Sequence, residues 1–259
     1  MSAGMIASLP MYDRPETAAA HDAFWALIRD HAAQEGLDLP PLTRGDDLWA
    51  QWEDPQMILS LTCGLPYRAR LKDKVQIVAV PDYRLPGCPP GYYASHIVVR
   101  ADDQAIGPEH WPHKRMAFNE LRSQSGWAAM LNHAFGLGTF FASARETGSH
   151  REASRAVAER RADIACIDAQ TWRMISAYDG WADALKIIDT TEPTPGLPLI
   201  TAATTPPETV ALLRRAVAAA VRDLTDSDRA VLHIHDLVDV PAQAYLDVPT
   251  PAPEDATAA

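Results

Sequence analysis

The chain has 259 residues, of which 47% are hydrophobic and 22% charged, the balance of a protein that buries a core rather than of a disordered or fibrous one. Its formal net charge of -11, from 23 Lys plus Arg against 34 Asp plus Glu, leaves no broad basic surface for a nucleic-acid backbone, so nucleic acid is not an expected partner. No run approaches the roughly 18 to 20 consecutive apolar residues that span a bilayer, so no membrane insertion is expected.

In chain order, an apolar run at 5–9 predicts a short strand, and the pattern over 15–34 predicts a helix with Ala20, Phe24, Leu27, Ile28 and His31 on one face and Pro15 in its first turn. Gly36 stops it, and apolar runs at 57–61, 75–80 and 97–99, bounded by Gly and Pro, predict three buried strands. A second set repeats the rhythm. It has strands at 115–118, 140–143 and 164–167, and helices over 124–135 (Trp127, Met130, Leu131 and Ala134 inward) and 151–161. A Pro-rich connector at 191–198 leads to a strand at 199–202 and a helix over 206–224 with the stripe Leu213, Val217, Val221 and Leu224. The rhythm predicts two α/β lobes with mainly parallel sheets. The stretch 246–259, which has no apolar period, is expected to be a disordered tail.

The three cysteines, Cys63, Cys88 and Cys166, contain no CxxC pair, so neither a zinc ribbon nor a thioredoxin motif has its ligands. A Cys63–Cys88 disulfide is open only in an oxidising compartment. Residues 1–10 lack the basic and apolar regions of a secretory signal, so the chain as written is expected in the cytoplasm, or in the periplasm if an upstream signal is missing. His110 with His113, and His233 with His235 and Asp236, have no third or fourth ligand at a recognisable spacing, and neither a P-loop nor a complete dinucleotide fingerprint occurs. No metal or cofactor is expected.

The most informative segment runs from a strand end through Ser123-Gln124-Ser125-Gly126 into a helix. Free backbone N–H groups, the positive end of the helix dipole and two hydroxyls suit an oxyanion there, while plain N-capping by serine is the competing reading. Thr147-Gly-Ser-His150 opens a second helix, and Asp168 ends a buried strand, so Ser149, His150 and Asp168 share a rim with Ser123 and Ser125 if ligands gather at the carboxyl ends of the strands. Capping competes here too, with Asp168 as the N-cap of a helix starting near Thr171. Met11-Tyr12-Asp13 and Leu61-Thr62-Cys63-Gly64 form a polar rim in the first lobe, with the Tyr12 hydroxyl as a donor. Ser125, His150 and Asp168 also have the residue types of a nucleophilic triad, so a hydrolase or other small-molecule enzyme is the alternative class.

Taken in order, Ala7-Ser-Leu-Pro-Met-Tyr12, Leu61-Thr-Cys-Gly-Leu-Pro66, Pro81-Asp-Tyr83, Gly91-Tyr-Tyr-Ala-Ser95, Ser123-Gln-Ser-Gly126 and Gly148-Ser-His150 with Ala162-Asp163 to Asp168 resemble the phosphate, phosphite and phosphonate substrate-binding proteins of ABC transporters. The resemblance runs from about residue 5 to 225. It implies a two-lobe type II periplasmic-binding-protein fold, with lobe 1 at 1–97 plus 200–245, lobe 2 at 98–199, and crossovers at 95–100 and 197–201. It implies a small oxyanion ligand in an interlobe cleft, held by Ser123, Gln124, Ser125 and Gly126, with Tyr12, Thr62, His150 and Asp168 completing the pocket. A monomer without catalytic residues that serves an ABC permease, or a cytoplasmic relative of such a protein, is the resulting expectation.

Overall fold

All five residues of the strand Met57–Leu61 are buried, as are all five of Ile164–Asp168, and each strand takes an interior place in a sheet, where both faces are covered. The computed structural model describes residues 4–45 and 47–252. It divides by contacts into two units, Met1–Tyr92 with Pro195–Tyr245, and Tyr93–Thr194 with Leu246–Ala259.

The first unit is built on a five-stranded sheet in the order Ile6–Ser8, Met57–Leu61, Leu199–Ala202, Val75–Asp82, Asp236–Val238. Its first pairing is parallel and the other three are antiparallel. The helix Ala18–Gln34 packs on Pro207–Asp223, whose stripe Leu213, Val217 and Val221 is buried with Leu224 just beyond it. The inner face of the first of these helices is Ala20, His21, Phe24, Trp25, Ile28 and Ala32. Leu27 and His31, expected inside, are only half-buried, and His31 Nε2 reaches Asp223 Oδ2 at 2.8 Å.

The second unit carries the order Ser143–Glu146, Arg115–Phe118, Ile164–Asp168, Ser95–Arg100, Leu185–Thr190. Its first two pairings are parallel and its last two antiparallel. Both sheets are therefore mixed, where the β-then-α rhythm predicted mainly parallel ones. The strand that follows each passage of the chain between the units, Ser95–Arg100 or Leu199–Ala202, runs against every neighbour it pairs with. The third strand of this unit lies at Ser143–Glu146 instead of 140–143. Phe141 is buried against Trp111, with ring centroids 5.8 Å apart, as a loop anchor, and the strand itself is a mostly exposed edge with no apolar signal.

The chain passes between the units at 92/93 and 194/195, in each case five residues before the divisions expected at 97/98 and 199/200. The reason is that Ser95–Arg100 pairs along its length within the second sheet, and Leu199–Ala202 within the first. The passing segments Tyr92–Tyr93 and Thr194–Pro195 form a two-stranded pair. Beside it, Gly196 N–H donates to the Gly91 carbonyl at 2.8 Å, and a Cβ on Gly196 would meet that oxygen at 2.7 Å, so only glycine fits. Residues 246–252, expected within a disordered tail, have defined contacts, and Asn132 Nδ2 donates to the Pro249 carbonyl at 3.1 Å. The remainder of that expected tail, 253–259, lies outside the described residues. No disulfide links the three cysteines. Among the described residues no helix is long and apolar enough to cross a membrane.

Candidate functional site

In the second unit the strands Arg115–Phe118 and Ile164–Asp168 run parallel, so their carboxyl ends share one edge of the sheet. From the first of these ends the chain turns through Asn119 and enters a helix at Gln124. The first turn, Gln124–Ala128, is wide and π-type, with Ala128 N–H bonded to the Ser123 carbonyl at 3.1 Å, and it continues as the α-helix Ala129–Gly136. Trp127, Met130, Leu131 and Ala134 are buried and hold this helix down, as the apolar spacing predicted.

The two hydroxyls at the helix mouth have different duties. Ser123 is the N-cap, its Oγ accepting the Gly126 N–H at 3.0 Å. Gly126, expected to offer that N–H to a ligand, has therefore already committed it. Ser125 makes no cap bond; its Oγ lies 2.8 Å from His150 Nε2 and 3.5 Å from Ser123 Oγ. Ser123, Gln124 and Ser125 are all buried.

His150 arrives 25 residues later because the loop before it is stitched to the same strand end. Thr147 donates to the Phe118 carbonyl through both its N–H and its Oγ1, each at 2.8 Å, and Gly148 N–H donates to the Asn119 carbonyl at 2.7 Å. Gly148 supports this turn at φ +87°, and Ser149 then caps the helix His150–Ala158 by accepting the Glu152 N–H at 3.1 Å. Burial pushes the His150 imidazole down to about 4, against a smaller upward pull from the Cys166 backbone, so the ring is neutral at ordinary pH. Its Nδ1 is buried and meets no acceptor at hydrogen-bonding geometry. Burial likewise raises the Cys166 thiol, keeping it neutral.

Asp168 is 2% exposed and caps the helix Ala169–Tyr178, its Oδ1 accepting the Thr171 N–H at 2.8 Å. The triad residue types thus do not make a triad. Ser125 and His150 stand at the separation of a nucleophile and a base, but no carboxylate orients His150.

The sequence reading missed Asn119. A Cβ on residue 126 would collide with Asn119 Oδ1 and come within 3.0 Å of His150 Cε1, which is why glycine stands there. Asn119 Oδ1 is buried with no hydrogen-bond partner. The only signal available was its place directly after a strand end.

The first unit presents its own rim residues. Tyr12 holds a left-handed backbone at φ +68°, a conformation rare for a bulky residue. Its carbonyl accepts the Thr17 hydroxyl at 2.8 Å, and its ring meets Tyr83 edge-on at 5.3 Å. Thr62 is fully buried, with its N–H on the Pro198 carbonyl at 3.1 Å and its Oγ1 without a hydrogen-bond partner. The histidine groups at 110–113 and 233–236 assemble no metal site, and among the described residues no three His, Cys, Asp or Glu side chains are grouped to hold a metal ion.

Solved structures share this fold at low identity. A binding-protein component of an ABC phosphonate transporter from Pseudomonas aeruginosa is 16% identical, with a TM-score of 0.67 over 90% of this chain and 80% of that one. PhnD1 from Prochlorococcus marinus, solved with methylphosphonate, is 13% identical, with a TM-score of 0.68 over 93% and 94%. XAC2383 from Xanthomonas citri, solved with ATP, is 11% identical, with a TM-score of 0.69 over 93% and 92%. No curated protein matches the chain. The sequence model of one family, described as ABC transporter, phosphonate, periplasmic substrate-binding protein, matches residues 6–241. That periplasmic setting overturns the cytoplasmic location expected from the composition of the first ten residues. The family is a class of transporter component rather than of enzymes, and the chain belongs to it: it is a member of the periplasmic substrate-binding proteins of phosphonate ABC transporters.

Proposed function

We propose that the protein captures a small tetrahedral oxyanion of the phosphonate type at the mouth of the helix that begins at Gln124, with the Ser123 and Ser125 hydroxyls as its principal donors. The observation that carries the reading is the pairing of two buried hydroxyls 3.5 Å apart at a helix N-terminus, with no charged side chain in their hydrogen bonds. Neutral dipoles aimed at one point suit an anion that must later be released, since they attract it without a permanent counter-charge. The Ser125 N–H, in the first turn and beyond the reach of any intrahelical carbonyl, is a third donor. Gln124 borders the same turn, and Asp168, as a helix cap, shapes the rim. Tyr12 and Thr62 lie in the first unit, where the Tyr12 backbone holds a left-handed conformation.

Membership in the family gives the protein a permease as its partner in general terms. In this reading it acts as a monomer, and it binds its ligand without turnover. Methylphosphonate, present in the Prochlorococcus structure, is the first ligand to test, beside phosphate, phosphite and a sulfonate. Isothermal titration calorimetry should show one site, and Ser123→Ala with Ser125→Ala together should weaken binding at least a hundredfold, because each charge-assisted bond is worth roughly 1.5 to 3 kcal/mol. Binding of none of these anions by the parent, or equal affinity in the double variant, would refute the assignment.

A further inference from the structure

We infer that the first unit carries a second ligand site, for a small aliphatic amine in its ammonium form, in a cavity of about 520 Å³ between the start of the helix Ala18–Gln34 and the chain at 42–45 with Leu48. All of its lining lies in the first unit, and neither Tyr12 nor Thr62 is part of it. Its size is that of a small-molecule pocket. Leu9, Pro10, Pro15, Leu42 and Leu48 supply an apolar wall, and Asp13, Arg14, Thr43 and Arg44 the polar part.

The polar groups favour a cation over an anion. Both guanidiniums are already engaged: Arg44 Nε reaches Asp13 Oδ2 at 2.7 Å and its Nη2 reaches Asp22 Oδ1 at 2.8 Å, while Arg14 Nε reaches Glu16 Oε2 at 2.6 Å. In these pairs three carboxylates face two guanidiniums, which leaves an excess of negative charge. His21 beside them adds no charge at neutral pH, because burial holds its imidazole below the usual value. Nor does the helix start attract an anion, since the Thr17 and Ala18 N–H groups both donate to the Arg14 carbonyl, at 2.8 and 2.9 Å.

What is left open is an acceptor. Asp13 Oδ1 makes no hydrogen bond: His21 Nδ1 stands 3.9 Å away and is bonded to the Thr17 carbonyl at 3.1 Å instead. The Asp13 side chain is only 10% exposed, so water does little for this oxygen. An ammonium group can donate to it and to the Thr43 hydroxyl, with an alkyl stem along the leucine and proline wall.

Isothermal titration calorimetry on the full chain, with ethyl-, butyl- and hexylammonium as probes, tests this. Each added CH2 should tighten binding about fourfold while the stem fills the cavity. Hexanol and hexanoate should each bind at least about tenfold more weakly than hexylammonium, since one lacks the charge and the other reverses it. Asp13→Asn should weaken hexylammonium binding about tenfold or more. Ala18→Leu, which puts a larger side chain into the cavity, should weaken it by a similar factor while leaving Asp13 in place. Absence of hexylammonium binding, hexanol or hexanoate binding as tightly, or parental affinity in either variant would overturn the site. So would many weak sites per chain, the mark of a surface-active additive. Thermal unfolding of both variants separates lost folding from lost affinity, and the comparison of hexylammonium, hexanol and hexanoate on the parent decides the matter if Asp13→Asn does not fold.

Discussion

The neutral, buried state of His150 makes stability depend on pH in a way that can be calculated. The imidazole moves from 6.5 in the unfolded chain to about 4 in the fold, so between these values the unfolded state binds more protons than the native one. Stability must then rise with pH across that window. The contribution is fully present above pH 6.5 and falls away as the solution is acidified, reaching a loss of about 2 kcal/mol at pH 5 and about 3 kcal/mol below pH 4. His150→Gln removes the titration while keeping a group that can meet Ser125. Urea unfolding of both proteins followed by circular dichroism at pH 7.5, 6.0 and 5.0 isolates the effect, because every other titrating group, including the buried His21, is common to both. The parent's stability minus the variant's should shrink by about 2 kcal/mol from pH 7.5 to 5.0. A difference constant within about 0.5 kcal/mol would mean that the imidazole is charged or solvated in the fold, and the neutral helix mouth described above would be wrong.

Ser123→Ala should cost about 1 kcal/mol of folding stability through the lost cap on Gly126, whereas Ser125→Ala should cost roughly 1 to 3 kcal/mol by leaving His150 Nε2 buried without a partner; urea unfolding measures both, and equal, negligible losses would contradict the assigned bonds. Asp168→Asn should stay within about 0.5 kcal/mol of the parent in the same assay, since asparagine caps as well as aspartate, while Asp168→Ala should lose about 1 kcal/mol. Burial pushes the Asp103 carboxyl up, but its bonds to Lys114 Nζ at 2.7 Å and to the Ala105 amide outweigh this and hold it below the usual carboxylate range. Lys114→Met should therefore strand a buried charge and destabilise by about 3 kcal/mol, and a loss under about 1 kcal/mol would show that water reaches the pair. The Tyr245 hydroxyl, buried and donating to the Gly196 carbonyl at 2.7 Å, predicts a cost of about 1 to 2 kcal/mol for Tyr245→Phe, with thermal unfolding as the check.

Local signals in the sequence determined a good part of this protein. The strands at 57–61, 115–118 and 199–202 occur at those bounds, and the helix over 206–224 occurs as Pro207–Asp223, because continuous apolar runs and a 3.6-residue stripe report burial residue by residue. The same is true of the S-Q-S-G helix mouth, whose serine and glycine chemistry announces a helix start. The exposed edge Ser143–Glu146 and the strand Leu185–Thr190, with only Leu185 buried, send no such signal. Only the tertiary structure decided which strands run against their neighbours, since direction depends on where the chain comes from and not on which side chains it carries. It also decided which serine caps and which meets the imidazole, that Asp168 turns to its own helix, and that Asn119 and Gly126 share one space. A hydrogen bond's partner can stand 25 residues away, as His150 does from Ser125, and no period along the chain encodes that distance.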